Sequence, residues 1–478
     1  MFKGRKGIFF TFVAILIVSI LVMAFSSQSY ITLKERMPVI ESRVNMANNY
    51  IENLDNAYLE RSLYTSSYLA IYSLIIYENK TKSQFADKAA FDCAFSNAML
   101  YGTLFSSSQV DLGKDAWFTT TPDLGSNTGA TPTSESFGPA TFLAQLFVPS
   151  ASGNLENATF QMKWGADNNN EVVIELRDSN CNGIGFLLDN ASIPGPGNSG
   201  WRTVTASFPK TPYLVSGQSY YFVFRSNTAT NVELGTNNNY AQGSLYNIGA
   251  GITGTKIDSI TGQNIMNGTT FTDRLELIKN KSFEVYAIRT EFASSQSLFS
   301  PAVYQTNKTG PWHIGANVTV AYTIDAGTAA WNRSKTVETT FDIYGLDDPL
   351  YLVKTQGALT NKIYEANFTK WNVTNLYRHI HNRTYRADQN ASGFLMRFYG
   401  DYSRSKCCGI ESEVSPDVVI LLGAKQQTYI DCGYFSDGTG CSFGALSNIT
   451  GITNATYPFM LDSYHVVSYN VSDQAVGS

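Results

Sequence analysis

The feature that most constrains this chain is an uncharged apolar segment close to its beginning. Residues 8–25 (IFFTFVAILIVSILVMAF) are 18 consecutive residues without a charged side chain. That length is near the lower limit for a helix that spans a bilayer, and a helix of this composition is apolar on every side. The segment therefore predicts a transmembrane helix rather than a helix of a protein core.

The charges beside this segment predict its orientation. Lys3, Arg5 and Lys6 precede it, and no acidic residue does. Because positively charged flanks stay cytoplasmic, we expect a cell-membrane location, with the N-terminus in the cytoplasm and the bulk of the chain extracellular. Three interpretations of this segment remain possible: it is an uncleaved anchor, a signal peptide cut after Ala24, or a pilin-like segment.

The residues RKG (5–7), followed directly by IFF (8–10), resemble the class III signal of archaeal pilins and archaellins. The resemblance implies cleavage between Gly7 and Ile8, a helix that stays on the mature protein, and an archaeal source. It also implies self-association through this helix, as in a surface filament. The fifth residue after that cut is Phe12, where bacterial type IV pilins have a glutamate.

A second group of motifs predicts a glycoprotein. The tripeptide Asn-x-Ser/Thr occurs fifteen times, and fourteen of these lie beyond residue 150. Each is a potential glycan acceptor only outside the cytoplasm. The candidate acceptors are Asn79, Asn157, Asn190, Asn267, Asn280, Asn307, Asn317, Asn332, Asn367, Asn372, Asn382, Asn390, Asn448, Asn454 and Asn470.

The six cysteines are an even number, which suits disulfides in an oxidising compartment. Adjacent cysteines rarely bridge each other. We therefore expect each of Cys407 and Cys408 to pair with one of Cys432 and Cys441, which follow within a 35-residue stretch. A zinc site is the rival interpretation of this cluster, but no CxxC spacing is present. The remaining two, Cys93 and Cys181, are left as a long-range bridge or as free buried thiols.

The composition argues against several function classes. The chain has 34 Lys and Arg against 39 Asp and Glu, so no basic face for nucleic acid is implied. It has only four histidines, and its sequence contains neither HExxH nor the phosphate-loop pattern. The sequence thus favours a protein that is not an enzyme. An extracellular polysaccharide hydrolase with dispersed carboxylates stays open as a less favoured alternative.

The next part of the chain has helical patterning. Apolar residues between 40 and 58 recur in steps of four and three, which is typical of a coiled-coil stripe, and a second helix is expected near 82–105. We therefore predict a helical stalk over 28–105, after the pilin-like segment 1–27. Residues 106–136 are rich in Ser, Thr, Gly and Pro and predict a linker.

From residue 137 the pattern becomes β, with short alternating runs at 142–148, 155–164, 171–177, 201–208, 220–225 and 283–288. Such runs predict a β-sandwich or jelly roll. The landmarks AQLFVPSASGNL (144–155), EVVIELRDSNCNG (171–183), GWRTVTASF (200–208), LVSGQSYYFVFRS (214–226) and FEVYAI (283–288) resemble jelly-roll domains of surface proteins. These domains share structure with carbohydrate-binding modules. The resemblance implies a jelly roll over 137–289, with surface carbohydrate as its ligand.

Residues 290–478 complete the predicted organisation. Alternation at 317–324 and 336–344 predicts a second, disulfide-bearing β-rich domain. The stretch 317–351 resembles the head of archaeal surface proteins that also begin with pilin-like helices. The expected fold is thus mainly β with an N-terminal helical part. The expected function is a non-catalytic cell-surface or pilus-like glycoprotein for adhesion or carbohydrate binding; the alternative is a purely structural envelope or filament component.

The sharpest local motif resembles a calcium loop. Asp178, Asn180 and Asn182 stand at positions 1, 3 and 5, Gly183 at position 6 and Asp189 at position 12. Calcium needs several converging oxygen ligands, and this spacing supplies them on one loop. The flanks have strand patterning, however, and these residues are also common in hairpin turns, so a plain turn is the competing interpretation.

Two further pairs of residues are candidates. His379 and His381 would place both imidazoles on one face of a strand, which suits a metal, although a plain surface strand is favoured because no third ligand is apparent. Trp164 and Trp201 are candidates for stacking on sugar rings, although core positions are the favoured interpretation in strands of this type.

Overall fold

The structure is a computed structural model. It describes residues 5–106, 110–111, 115–116, 118–121, 126–127, 133–138, 142–164, 171–180, 183–196, 200–226, 232–237, 244–248, 253–292, 301–327, 329–415, 429–436, 444–452 and 458–477. The chain divides into two compact units. One comprises residues 1–59, 277–292 and 322–333, and the other comprises 60–276, 293–321 and 334–478.

The helices concentrate at the N-terminal part and in the last third of the chain. They are α1 (Arg5–Asn53), α2 (Leu59–Thr81), α3 (Lys88–Tyr101), α4 (Ile257–Thr261), α5 (Phe271–Tyr286), α6 (Pro349–Lys354), α7 (Val373–Asn382), α8 (Phe394–Arg397), α9 (Asp431–Phe435) and α10 (Ser463–Ser468). A π-helical turn (Leu54–Tyr58) joins α1 to α2.

The strands pair in several antiparallel sheets. They are β1 (Thr103–Ser106), β2 (Val110–Asp111), β3 (Asp115–Ala116), β4 (Phe118–Thr121), β5 (Ser126–Asn127), β6 (Thr133–Phe137), β7 (Leu143–Phe147), β8 (Gly153–Asn154), β9 (Asn157–Trp164), β10 (Val172–Asn180), β11 (Gly183–Ile193), β12 (Gly200–Ser207), β13 (Tyr213–Leu214), β14 (Tyr220–Ser226), β15 (Val232–Asn237), β16 (Leu245–Asn247), β17 (Thr253–Lys256), β18 (Arg289–Phe292), β19 (Ala302–Tyr304), β20 (His313–Asp325), β21 (Ala330–Asp342), β22 (Arg386–Ala387), β23 (Ile410–Glu411), β24 (Leu446–Ile449), β25 (Met460–Asp462) and β26 (Ala475–Gly477). The expected order, an N-terminal helical part followed by antiparallel sheets, is confirmed.

The predicted transmembrane helix over residues 8–25 is wrong. Among the residues that the structure describes, no helix is both long enough and apolar enough to cross a bilayer. The apolar stretch is only the first part of α1, a helix of 49 residues that continues through Pro38 into polar sequence. The predicted cell-membrane location rested on this stretch and is therefore wrong as well.

The first unit is organised around the end of α1. Tyr50 and Thr290 share a hydrogen bond between their hydroxyls at 3.0 Å. In the π-helical turn, Asp55 accepts a hydrogen bond of 2.5 Å from the hydroxyl of Tyr322, and a guanidinium nitrogen of Arg333 lies 3.4 Å from the same carboxylate. Strand β18 pairs with the end of β20 within this unit.

In the second unit, α2 and α3 form a helical hairpin, and α3 lies within the second helix expected near 82–105. The hydroxyl of Ser67 donates to the sulfur of Met99 at 3.3 Å, which joins the two helices well away from the turn. Helix α3 begins at Asp87, whose carboxylate accepts the N–H of Ala90 as an N-cap, and ends at Gly102 with a φ of 64°. The side chains on its inner face are buried.

Two large sheets of the second unit are arranged like a β-sandwich. The first has the order β11-β10-β14-β7-β16-β2, and the second has the order β3-β15-β9-β4-β5, with β12 on β9 and β6 on β15. Phe160 of the second sheet lies 5.1 Å from Phe222 and 5.0 Å from Phe224 of the first, between ring centroids. The side chains between the sheets form one buried apolar cluster. Residues 106–136, expected to be a linker, contribute strands to both sheets.

The predicted strand over 283–288 is not formed, and residues 283–286 are instead the end of α5. Thr270 and Asp273 form a reciprocal capping box, since each side chain accepts the backbone N–H of the other, at 3.1 and 3.2 Å. This local signal favours a helix, and it outweighs the alternation of residues 283–288.

The last third of the chain contains less β-structure than predicted. Strands β20 and β21 are long and pair with each other, as the alternation indicates. After residue 345 the described chain forms five short α-helices, one 3-10 helix (Ser472–Gln474) and five strands of two to four residues. Its apolar cluster combines helix α6 and α7 side chains with those of β24 and β25.

Candidate functional site

The outer surface of strands β9 and β12 is the best candidate for a binding site. Because β9 alternates strictly between buried and half-buried side chains, one row of its side chains enters the core and the other leaves it. Strand β12 pairs with β9 in register from Gly200 opposite Trp164 to Ser207 opposite Asn157. We call the outward rows of both strands the β9–β12 face: Asn157, Thr159, Gln161, Lys163, Trp201, Thr203, Thr205 and Ser207.

The two candidate tryptophans have opposite environments. Trp164 is 1% exposed and belongs to the core between the sheets. Trp201 is 43% exposed, and its opposite neighbour Lys163 places its ammonium nitrogen 5.9 Å from the centroid of the indole ring. Only Trp201 therefore offers an aromatic surface to a ligand, with a cation that helps hold the ring in place.

The charge at this end of the face is neutralised within the protein. The Nζ atom of Lys163 lies 2.9 Å from a carboxylate oxygen of Glu233 on the neighbouring strand β15. This hydrogen bond lowers the pKa of Glu233, so that the carboxylate stays ionised and paired. A paired, exposed carboxylate is poorly suited to act as a general acid.

The rest of the face carries hydroxyl and amide groups. Ser207 donates a hydrogen bond of 2.6 Å to the side-chain oxygen of Asn157, and the hydroxyls of Thr159 and Thr205 lie 3.3 Å apart. These cross-strand pairs orient donors and acceptors toward solvent. An aromatic ring beside a row of neutral hydrogen-bonding groups suits a ligand that has an apolar face and many hydroxyls.

The candidate calcium ligands are distributed over a hairpin. Asp178 and Asp189 lie on the paired strands β10 and β11, and both are buried. The carboxylate of Asp189 accepts backbone N–H groups of Asn190 and Lys210, at 2.9 and 2.8 Å. Asn182 and the side chain of Asn180 lie outside the described residues. In the described part of the chain no group of three or more His, Cys, Asp or Glu side chains is placed to hold a metal, and calcium binding stays a prediction.

The two histidines of the HxH motif are not on one face. They lie in helix α7 rather than in a strand, and Asn372 caps this helix by accepting the N–H of Asn375. His379 is buried against Glu413, with 2.6 Å between Nε2 and the carboxylate, although the angle does not favour a hydrogen bond. His381 is exposed and stacks on Tyr377. A metal site of these two residues is therefore not formed.

The adjacent cysteines bridge each other, so the predicted pairing of Cys407 and Cys408 with Cys432 and Cys441 is wrong. The Cα atoms of Cys407 and Cys408 are 3.7 Å apart. A turn allows this, in which Lys406 has a φ of 65° and the hydroxyl of Ser405 accepts the N–H of Cys408 at 3.0 Å.

The other cysteines leave the rest of the pairing open. Cys93 and Cys432 are disulfide-bonded as well, so the alternative of a free thiol at Cys93 does not hold. Cys181 and Cys441 lie outside the described residues.

A cluster that the sequence did not indicate surrounds His465 in the last third of the chain. Its Nδ1 lies 2.6 Å from Asp462 and its Nε2 3.0 Å from Glu411, which also accepts the hydroxyl of Tyr469 at 2.8 Å. Burial opposes the charged imidazolium, but the two carboxylates outweigh it and raise the pKa of His465 to about 10. With both ring nitrogens bound to carboxylates, this histidine cannot act as a general base near neutral pH.

The sequons are compatible with glycosylation. Fourteen of the fifteen acceptors lie among the described residues, and none of these fourteen is in the buried class. Asn454 lies outside the described residues. Asn157 belongs to the β9–β12 face, so a glycan at this position would cover part of it. Occupancy of the sequons stays a prediction.

Most residues of the β9–β12 face could have been found from the sequence. The alternation within 155–164 and 201–208 separates an apolar row from a polar row, and the register then brings the two polar rows together. No known protein family matches this chain, and no curated protein is significantly similar to it in sequence.

Proposed function

We propose that this chain is a non-catalytic binding protein whose β9–β12 face holds a neutral carbohydrate, as in adhesion to a glycan-bearing surface. The observation that carries the proposal is the exposed indole of Trp201, which stands at the end of a row of neutral hydroxyl and amide groups. An aromatic ring packs against the apolar face of a sugar, and the polar row supplies hydrogen bonds to its hydroxyls.

The sandwich-like pair of sheets supports the same assignment. We infer a jelly roll, as the landmarks between residues 144 and 226 imply, with the second sheet presenting its outer surface to ligand. Edge strand β12 pairs only with β9 among the described strands, so its outer row is accessible along its length.

The test is binding of a panel of neutral oligosaccharides to the full-length protein, measured by calorimetry. Because Asn157 is a sequon on the same face, the protein is produced without N-linked glycans. We expect Trp201→Ala to weaken binding by about tenfold, since an aromatic contact contributes about 1.5 kcal/mol. Tyr213→Ala, which truncates another exposed aromatic outside the face, is the matched control and should bind normally. Equal affinity of both variants, or no binding by the wild type, would contradict the proposal.

A second candidate function is assembly through the N-terminal helix. In α1, Ile15, Leu16, Ile17 and Val18 are all exposed by 47% to 64%. Four consecutive positions cover a full turn, so apolar surface faces every direction around the helix. One partner surface covers only one side of a helix, whereas a bundle of identical helices covers all sides. We therefore propose that copies of this chain associate through α1 as a pilus-like component.

Sedimentation of the full-length protein over a range of concentrations tests this second candidate. We expect concentration-dependent oligomers for the wild type and a monomer for Ile17→Asp. Ser42→Asp adds the same charge at an exposed polar position of α1 and should still assemble. A wild type that remains monomeric at all concentrations tested would contradict assembly through α1, and it would not affect the carbohydrate proposal.

A further inference from the structure

A cleft beside the Cys407–Cys408 disulfide has no role in the proposed function. It has a volume of about 220 Å³ and lies between helix α3, strand β19 and the chain from residue 393 to 407. Phe91, Tyr304, Met396 and Tyr399 provide its apolar lining, and one cysteine, Cys407, also lines it. The cleft is large enough for a small molecule of about one ring.

The lining of the cleft is held in place by its own contacts. The side-chain oxygen of Gln305 accepts the N–H of Leu395 at 3.1 Å, and its amide donates to the carbonyl of Pro311 at 3.2 Å. The ring of Tyr304 lies directly against Gly315, where any Cβ would collide with it. The cleft is therefore preformed rather than dependent on rearrangement.

The two sulfurs of the disulfide differ in access. Cys407 is half-buried and borders the cleft, whereas Cys408 is fully buried. Cys93 and Cys432, which are also disulfide-bonded, are buried. Among the cysteines that the structure describes, Cys407 is thus the only one that a reagent can reach without opening the fold. Exchange at a disulfide depends on access to a sulfur.

We propose that the Cys407–Cys408 disulfide is an exchange site for a small apolar dithiol bound in the cleft. One thiolate of the dithiol attacks the sulfur of Cys407, the bond to Cys408 breaks, and Cys408 takes up the proton that the attacking thiol lost. The second thiol attacks the resulting mixed disulfide and gives its proton to Cys407. The protein pair is then reduced by two electrons, and the dithiol is oxidised to a disulfide.

Reduction of the disulfide would free the turn at Cys407 and Cys408, but the residues that follow this turn contact buried clusters of the same region. The carbonyl of Ile410 accepts a hydrogen bond from Arg397, and Glu411 contacts His465. Gly409 packs so closely against the carbonyls of Asp388 and Ala391 that a Cβ would not fit. Residues 409–411 therefore hold the chain beyond the disulfide in place, so we expect exchange to leave the fold intact.

The first test uses limiting dithiothreitol on the full-length protein, followed by alkylation and peptide mass spectrometry. We expect Cys407 and Cys408 to be labelled about tenfold faster than Cys93 and Cys432. Labelling of Cys93 or Cys432 at an equal or faster rate would overturn the proposal.

A pair of single variants separates the two sulfurs. Cys408→Ser leaves a thiol at the cleft, and Cys407→Ser leaves a buried one. With oxidised glutathione, we expect the mixed disulfide to form about tenfold faster in Cys408→Ser. Equal rates would show that access through the cleft does not govern exchange. If either variant fails to fold, the difference in labelling rate between the cysteines of the wild type still tests the proposal.

The cleft itself is tested by the choice of thiol. Benzyl mercaptan has one apolar ring, whereas mercaptoethanesulfonate is charged, and both carry alkyl thiols. Each thiol's rate at Cys407 is divided by its rate with oxidised glutathione, which serves as a free disulfide. We expect this ratio to be about tenfold higher for benzyl mercaptan than for mercaptoethanesulfonate, because benzyl mercaptan binds the aromatic lining first. The same ratio on the protein and on the free disulfide would mean that the cleft binds nothing.

Discussion

In the sandwich-like sheets, phenylalanine rings fill the core: Phe147 and Phe222 stack 4.4 Å apart, and Phe160 meets Phe222 edge-on. In the last third of the chain, the buried residues include a guanidinium group as well as apolar side chains. Arg397 is fully buried, with one nitrogen 2.6 Å from Asp348 and 2.8 Å from Asp431. Apolar burial tolerates small errors of geometry, whereas a buried charge is stable only while its partners remain in place.

This difference affects how each region is specified. A core of aromatic rings depends mainly on volume and on the alternation of the strands. The cluster around Arg397 depends on particular atoms: Tyr385 donates to Asp348 at 2.7 Å, and Asn361 donates to Tyr385 at 2.8 Å. These residues come from separate turns and short helices, so the cluster fixes one arrangement of a region that has little regular structure.

The largest effect that we expect comes from removing this buried cation. Arg397→Met leaves Asp348 and Asp431 buried without their counter-charge, and breaking such a pair costs about 3–5 kcal/mol. Urea unfolding with the disulfides intact measures the loss. A triple variant that also carries Asp348→Asn and Asp431→Asn should recover much of it. A loss below about 1 kcal/mol for Arg397→Met would remove the contrast between the two cores.

The second prediction concerns pH. The carboxylates of Asp462 and Glu411 raise the pKa of His465 to about 10, against about 6.5 in an unfolded chain. The charged imidazolium therefore contributes stability that is complete below about pH 6.5 and is lost as the pH rises through about 10. We expect His465→Gln to be least stable relative to the wild type near pH 6, with a difference that shrinks toward pH 10.

The free energy of unfolding at several pH values gives this difference directly. His381→Gln is the matched control, because His381 is exposed on helix α7. It should leave the pH profile unchanged. A constant difference between His465→Gln and the wild type from pH 6 to pH 10 would mean that the cluster does not hold a charged histidine.

A third, smaller effect is expected at Glu78 in helix α2. This carboxyl group is fully buried, and burial raises its pKa well above the usual value. A raised pKa of an acid costs stability as the pH increases, by about 1.4 kcal/mol for each pKa unit, until the folded group also ionises. Glu78→Gln is nearly isosteric and should be more stable than the wild type at pH 7 but not at pH 4. Glu60→Gln, exposed on the same helix, should show neither effect.

The contrast between the cores also explains how much could be predicted from the sequence. Runs such as 155–164 and 201–208 alternate between apolar and polar residues, and they form β9 and β12 almost as predicted. Alternation reports a half-buried strand directly. The polar row of the β9–β12 face follows from the same pattern.

The last third could not be predicted in this way, since it buries charged and polar side chains beside its apolar cluster. His379 lies on the inner face of α7 beside Leu376 and Ile380, so a histidine occupies a position that the pattern treats as exposed. The bridge between Cys407 and Cys408 depends on one turn, with a positive φ at Lys406. The membrane prediction was also wrong, since no helix among the described residues is both long enough and apolar enough to cross a bilayer.

The smallest expected effect tests the comparison with an ion pair that is accessible to solvent rather than buried. Lys163 and Glu233 form an ion pair like that of Arg397 and Asp348, but Lys163 lies on the β9–β12 face and Glu233 on the neighbouring strand β15, with about a third of each side chain accessible. Water already stabilises both charges there, so an exposed pair contributes about 0–1 kcal/mol. Lys163→Met should therefore change the free energy of unfolding by less than about 1 kcal/mol, and added salt should not change this result. A loss comparable to that of Arg397→Met would mean that partners rather than burial determine the cost, and the distinction between the two regions would fail.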